Sequence, residues 1–489
     1  MFVFFLAEFI PAVLSYVFLI AISNFTTTDV IGILGFIITF SALLANISNL
    51  EIHIGMKRYL GKSISENNWP LFKQISSAST LFVLLISVSI LLILLNPFVN
   101  FLELFGVDAE FVPIISIIVI GSNLHRIFTG IFSSALRTTS LIIPSILASF
   151  LRFPPLLFFI YVDDLTEITA SWSYSVFYAT IVIFLLITLG HYFTKLDGKS
   201  LKKIFFNIKL ILKGSLAQYI PSILGTLGAK LNILIIFSVH GASESGLFFI
   251  PWVVFAVLMM LVNAITQIIH PVFSGLENSN EQLILFQRTM KLGFLTTIPL
   301  FVIVFFYANY VLKIFDSQFI LANSTLEILL ISFPFMVFNE ISYYLFYARG
   351  KYDYIFTIGL ISTIPRILLY FVLIPDFENT GAAWAYTIGT FFHTAVTVFI
   401  IKKLKIQLQY SHYFALVLIP FSIGYLLDQI NFGILGAIII FIISYVIFLK
   451  IKLFSENDIE NYLQFFSSSE QTIERKSKII RILKYCKLY

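Results

Sequence analysis

LAEFIPAVL at Leu6–Leu14 and LAQYIPSIL at Leu216–Leu224 are one pattern written twice, 210 residues apart. Each copy runs Leu-Ala-polar-aromatic-Ile-Pro to a closing Leu and lies in a long apolar run. A second pair keeps the same order. DLTEITASWSY (Asp164–Tyr174) lies over DFENTGAAWAY (Asp376–Tyr386) at an offset of 212, placing Ala170 on Ala382, Trp172 on Trp384 and Tyr174 on Tyr386. At that offset Arg137 falls on Arg349; at an offset of 217, Ile-His at 52–53 gives a weaker match to 269–270. One short apolar match arises by chance; two, in order and at nearly equal offsets, mark an internal duplication.

Composition says what surrounds the duplicated unit. Of 489 residues, 59% are hydrophobic and 12% charged, and the mean hydropathy is +0.96. So few polar groups cannot cover a water-facing exterior, so lipid is the solvent. Apolar runs of about 20 residues, enough for roughly 30 Å of hydrocarbon, recur from end to end. Fourteen are read as helices, near 2–23, 30–50, 75–96, 111–131, 141–161, 168–190, 214–238, 246–271, 291–312, 322–346, 355–374, 380–401, 411–428 and 432–450. A span must satisfy its own backbone polar groups, and these runs are too long and continuous for membrane β-strands. The expected fold is an all-α polytopic membrane protein.

Loops alternate in charge. One set carries Lys57, Arg58, Lys62, Arg137, Lys202, Lys203, Arg349, Lys351, Lys402 and Lys403. The opposite set carries Asp29, Asp108, Asp163, Asp164, Glu244, Asp376, Glu378 and Asp428, with Lys313 its clear basic exception. Excess positive charge marks the cytoplasmic side, which places both termini there. Met1 to Phe4 carry no base and no small-residue cleavage site follows, so the first span is expected to be retained. Cys486, the sole cysteine, excludes an intrachain disulfide.

Six helices separate the two copies, and six is even, so both copies cross in the same direction. This predicts two six-helix lobes, residues 1–190 and 214–401, in a parallel pseudo-repeat with a cleft between them. A basic amphipathic linker, 191–213, is expected to lie on the membrane surface. Two further helices fill 402–450, and a basic tail follows at 451–489, placed to bind anionic lipid or a partner. Pro11 and Pro221 fall at the same point of the first helix of each lobe and are candidate hinges.

Charges inside spans carry most of the functional information, because a charge at mid-bilayer costs about 2.5–3.5 kcal/mol and faces a cavity or a partner. Glu8, Arg152, Lys230 and Arg366 lie deep; Arg126 and Glu340 lie nearer the cytoplasmic ends. If Arg152, Lys230, Arg366 and Arg126 converge, they form a cationic site suited to a diphosphate, with Arg giving planar bidentate contacts and Lys a point charge. Glu8 and Glu340 are candidate coupling or cleft carboxylates. The competing readings are snorkelling for Arg126 and Glu340, and a structural ion pair, for example with Glu8, for the deeper bases. His270 and His393 read as hydrogen-bonded structural groups. No nucleotide-binding loop, GxSxG, HExxH or paired-cysteine pattern is present in the sequence. The chain therefore reads as a non-enzyme with no metal and no cofactor, leaving H⁺ or Na⁺ as a coupling ion.

Several short stretches carry a resemblance, in order. They are GMKRYLGK (55–62), SALRTTS (134–140), GLFFIPWVVF (246–255), YARGKYDY (347–354), NTGAAWAY (379–386) and FSENDIE (454–460). With the six-plus-six repeat, these resemble the polysaccharide flippases of the MOP (multidrug/oligosaccharidyl-lipid/polysaccharide) exporter superfamily. The resemblance implies a flippase that moves a lipid-diphosphate-linked oligosaccharide to the outer leaflet of the cell membrane by alternating access. The implied partners are that substrate, membrane lipids and glycan-assembly proteins, with no nucleic acid. A cation-coupled multidrug antiporter of the same superfamily is the alternative. A membrane glycosyltransferase or polymerase is third. The excess of deep bases over acids departs from the acidic cavities of drug exporters and favours the flippase.

Overall fold

The computed structural model describes residues 2–94, 102–135, 139–190, 198–276, 278–430 and 432–451. Among them every regular element is a helix. Residues 191–197 of the linker, Arg137 of the repeat, and the tail beyond Ile451 with Cys486 lie outside the described residues.

The first half runs α1 (Phe2–Ser23), α2 (Thr28–Asn49), α3 (Ile52–Ser65), α4 (Trp69–Leu94), α5 (Val112–Ser134), α6 (Thr139–Leu151), α7 (Phe153–Tyr161) and α8 (Glu167–Leu189). The second runs α9 (Gly198–Gly275), α10 (Ser279–Phe306), α11 (Ala308–Lys313), α12 (Asn323–Ile331), α13 (Phe333–Ala348), α14 (Tyr352–Lys403), α15 (Tyr410–Gln429) and α16 (Leu435–Lys450). Nine helices among the described residues are long and apolar enough to cross a membrane. Two of these contain two spans each: α9 breaks at Gly241 and α14 at Glu378. The pair α12 and α13, bent by 41°, and two shorter apolar stretches, Ile10–Ser23 and Leu435–Lys450, complete the fourteen expected segments.

The breaks have local causes. Gly241 sits at φ 84°, ψ −171°, a region open only to glycine. α6 gives way to α7 at Arg152, whose backbone stays right-handed helical, because Pro154 and Pro155 bring no N–H to the helix ladder and their rings crowd the carbonyls four residues back, while suiting the first turn of a new helix. Ser332 before Phe333-Pro334 repeats the device between α12 and α13.

The linker expected at 191–213 is helical from Gly198 onward, and α9 continues from there to Gly241. The candidate hinges lie inside helices, Pro11 in α1 and Pro221 in α9 before Gly241. A proline costs one backbone hydrogen bond, which lipid-embedded helices absorb through local adjustment.

Two compact units emerge, residues 1–250 with 363–385, and residues 251–362 with 386–489. The division does not fall at the linker. Segments 198–250 and 363–385 pack with the first six spans. In the first unit, α5 packs against α2, α4 and α8, and α6 against α1 and α8. One core gathers Phe36, Phe40, Ile115, Val119 and Phe237; another gathers Met56, Phe72, Phe128, Phe132 and Leu185. Close approach of α2 to the segment after Gly241 is set by glycines. A Cβ at Gly32 would collide with the Ala242 carbonyl, and one at Gly246 with the Thr28 carbonyl. In the second unit α10 packs against α13, α15 and α16, with α15 also against α16.

Candidate functional site

The site grows from one stripe of α9. Ser222, Thr226 and Lys230 are spaced four residues apart and so share a helix face. Thr226 meets α2, and Ser222 meets the break that follows it. Asn46 donates its side-chain N–H to the Thr226 hydroxyl, and the Ser222 hydroxyl donates to Glu51 Oε1 at 2.5 Å. Tyr219, one turn earlier, lies with its hydroxyl 3.5 Å from the Ile47 carbonyl. The opening repeat thus places Ser222, a hydrogen-bonding residue, where the first copy has Ala12.

Glu51 is a carboxylate at 4% exposure in a place no loop assignment foretells. It follows the last residue of the second expected span, where the sequence suggests a solvated connection. Instead Leu50 and Glu51 both adopt left-handed backbone, φ 48° and 55°, and the chain re-enters a helix at Ile52. Such a conformation costs a non-glycine residue roughly 1–3 kcal/mol and persists only where its surroundings hold it. The Ser222 bond is one such hold. His53 is another: its Nδ1 lies 2.7 Å from Asn49 Oδ1 and 3.6 Å from Glu51 Oε2. Asn49 continues the network, donating to Asn123 Oδ1 at 3.2 Å, and Asn123 donates to Ser48 and Ser87.

His53 belongs to α3, past the end of the apolar helix. Burial, with the Arg126 and Lys57 cations, pushes its imidazole from 6.5 down to about 3, so Nδ1–H donates to Asn49 in the neutral form. Unfolded chain takes up a proton near 6.5 while the native protein does not until about 3. Stability is therefore complete above pH 6.5 and falls as pH drops toward 3, by at most about 1.4 kcal/mol per pH unit from this group. We expect the thermal midpoint of His53→Gln to depend less on pH in this window than that of the native protein; equal slopes would refute the assignment.

Two of the cations named from sequence meet here. Arg126, half-buried on α5, points Nη1 at Asn46 Oδ1, 3.4 Å away. It interacts electrostatically with Glu51 and with Tyr178 of α8. Lys230, also half-buried, feels the repulsion of Arg126. Among the described residues no acid comes within ion-pairing distance of either. Two cations within electrostatic reach of each other repel, so an arriving anion is stabilised by both.

Arg366 approaches the same stretch of α9 from α14. Its Nη1 would lie 3.2 Å from a Cβ at Gly228, so the absent side chain makes room for the guanidinium. Tyr370 donates to the Gly228 carbonyl at 2.7 Å, and Thr363 to the Leu224 carbonyl at 3.4 Å, fastening α14 to α9. Arg366 itself is 6% exposed.

Arg152 sits elsewhere in the unit. It is 1% exposed, donates from Nη2 to Ser15 Oγ at 3.0 Å, and lies over Phe18 at 4.9 Å, with Phe153 and Phe177 each at 5.8 Å. An aromatic cage encloses it. Glu340 lies on α13 in the second unit, one turn from Tyr344, which bonds to Thr266. The side chains of Glu8 and His270 lie outside the described residues. No group of His, Cys, Asp and Glu able to hold a metal occurs among the described residues.

Neither a family model nor a curated protein matches the sequence. Solved structures do. The chain superposes on the lipid II flippase MurJ, inward closed conformation, at TM-score 0.70 and 14% identity, covering 92% of this chain and 98% of that one. The fold is that of the MOP-superfamily transporters. An inward-facing multidrug resistance MATE family transporter of the MOP superfamily gives TM-score 0.63 at 15% identity, covering 81% and 94%. A MOP superfamily transporter from Pyrococcus furiosus, whose reversed binding-pocket polarity suggests a different function, gives 0.57 at 14%, covering 83% and 94%. Likeness at 14–15% identity shows the fold alone.

Proposed function

We propose that the protein is a flippase for a lipid-diphosphate-linked oligosaccharide, moving it from the cytoplasmic to the outer leaflet of the cell membrane by alternating access. The observation that carries this reading is the pairing of Arg126 with Lys230 in a partly accessible site whose described acid, Glu51, is engaged by Ser222. A site with surplus positive charge inside a membrane protein suits a diphosphate and repels a cationic drug. Arg366 adds a third positive group along the same helix. The second unit offers an apolar groove of about 650 Å³, lined by residues such as Phe294, Phe301, Phe335, Tyr413 and Phe421, which suits a hydrocarbon chain. H⁺ or Na⁺ coupling is proposed for Glu8 and Glu340, and glycan-assembly proteins are the proposed partners on either side of the membrane.

Reconstitution tests the reading. Liposomes containing the purified protein should translocate a fluorescent isoprenyl-diphosphate disaccharide, scored by protection from a membrane-impermeant quencher. Ethidium efflux without movement of the diphosphate would sink the flippase and favour the drug antiporter.

A further inference from the structure

Glu51 presents a difficulty for an anion site. A carboxylate lies within electrostatic reach of Arg126, though beyond ion-pairing distance, and it carries the charge sign of the ligand. The geometry offers a resolution. Glu51 is held by a side chain, Ser222, on the same stripe that carries Lys230. Its backbone belongs to a two-residue left-handed break between α2 and α3, not to either helix. Once the Ser222 bond is broken, rotation about the Glu51 side-chain bonds can move the carboxylate while both helices stay in place. His53 and Asn49 hold each other through their own bond and do not need Glu51 for it.

We propose that Glu51 is the resident anion of the cationic site. It supplies negative charge within reach of Arg126 while the site is empty, is displaced when the substrate's diphosphate binds, and returns to expel it. Glu51 is thus a specificity and release residue, and this rests on the diphosphate reading above. A resident carboxylate discriminates by valence. A dianion outcompetes it for Arg126 and Lys230 together, while a monoanion such as a carboxylate or a phosphodiester headgroup gains little over the occupant already there.

Binding separates the inference from the reading on which it rests. The full chain in nanodiscs is titrated calorimetrically with geranyl diphosphate, inorganic pyrophosphate and geranyl monophosphate. Glu51→Gln keeps an acceptor for Ser222 and removes the competing charge. It is expected to bind geranyl diphosphate at least about tenfold tighter than the native protein, a shift within the usual range of coupling between ligands. Selectivity over the monophosphate should fall, and transport turnover should drop as release slows. Ser222→Ala keeps the charge but removes a bond that must break for Glu51 to leave, so it should tighten binding in the same direction by a smaller factor. It serves where Glu51→Gln does not fold. Pyrophosphate binding alike with geranyl diphosphate shows that the shared headgroup is recognised; binding of geranyl diphosphate alone shows that the lipid contributes. Native binding with unchanged or weaker affinity in folded Glu51→Gln and Ser222→Ala overturns the resident-anion role and leaves the diphosphate site standing. No diphosphate binding by native protein or either variant overturns both.

Discussion

Lys230→Ala is expected to lower translocation of the isoprenyl-diphosphate disaccharide by at least about thirtyfold while the protein stays folded. Removing one fully engaged charged partner from a low-dielectric binding site costs roughly 2–5 kcal/mol of interaction with the ligand, and about 1.4 kcal/mol is a factor of ten. Folding should survive for a reason visible at the site. The Lys230 ammonium is close enough to Arg126 to feel its repulsion, and no acid pairs with it among the described residues. Deleting it relieves a cost of the empty state and breaks no bond to the scaffold. The thermal midpoint should therefore hold or rise. Arg126→Ala should be equally inactive but less stable, since Arg126 also contacts Asn46 and is the cation beside Glu51. The readouts are the quencher assay, thermal unfolding of purified protein, and surface glycan display in cells with lipid-linked precursor measured inside. Normal translocation by folded Lys230→Ala would remove the cationic pair from the transport site.

How much of this was legible in the sequence follows from which physics is local. The fourteen apolar segments are legible because span length is set by bilayer thickness and needs no tertiary information. The breaks at Arg152 and Ser332 were there to be read in Phe153-Pro154-Pro155 and Phe333-Pro334, where covalent geometry dictates the outcome. Arg126 and Lys230 were identifiable as isolated charges in greasy runs. Their meeting was not, since α5 and α9 are distant in sequence and only packing brings them together. Glu51 was missed for a different reason. One residue past an apolar run, a glutamate ordinarily meets water, and two successive left-handed non-glycine residues have no sequence signature. A hint lay nearby in α3, where Ile52, Met56 and Leu60 recur every four residues among Lys57, Arg58 and Lys62, the pattern of a packed helix and not of a free loop. The unit boundary was also hidden: the duplication divides the chain at the linker, whereas packing joins 198–250 and 363–385 to the first six spans.

Arg152 tests the opposite role, and Arg152→Ala is expected to prevent accumulation of folded protein altogether. The sequence left two readings open, a cleft cation and a structural one. In the structure the guanidinium is enclosed: Ser15 accepts from Nη2, Phe18, Phe153 and Phe177 lie around it, and Nε is buried without a hydrogen-bond partner. It ties α1 to the break between α6 and α7, where the backbone is already interrupted by Pro154 and Pro155. Truncation to alanine removes a charged hydrogen bond worth about 1.5–3 kcal/mol and leaves a void among aromatic rings. Losing a side chain of this size from a packed interior costs about 3–5 kcal/mol, comparable to the whole stability of many domains. Arg152→Met is the discriminating variant. Methionine fills the cage with a flexible apolar chain and suits aromatic neighbours, and replacing a buried charge by an apolar residue of similar volume is commonly neutral or stabilising. Folded Arg152→Met should translocate the diphosphate substrate at close to the native rate, in contrast to Lys230→Ala. A variant that folds with native thermal stability yet fails to transport would place Arg152 among the substrate-binding cations, and its aromatic cage would then be a resting position from which the side chain swings out to meet the diphosphate.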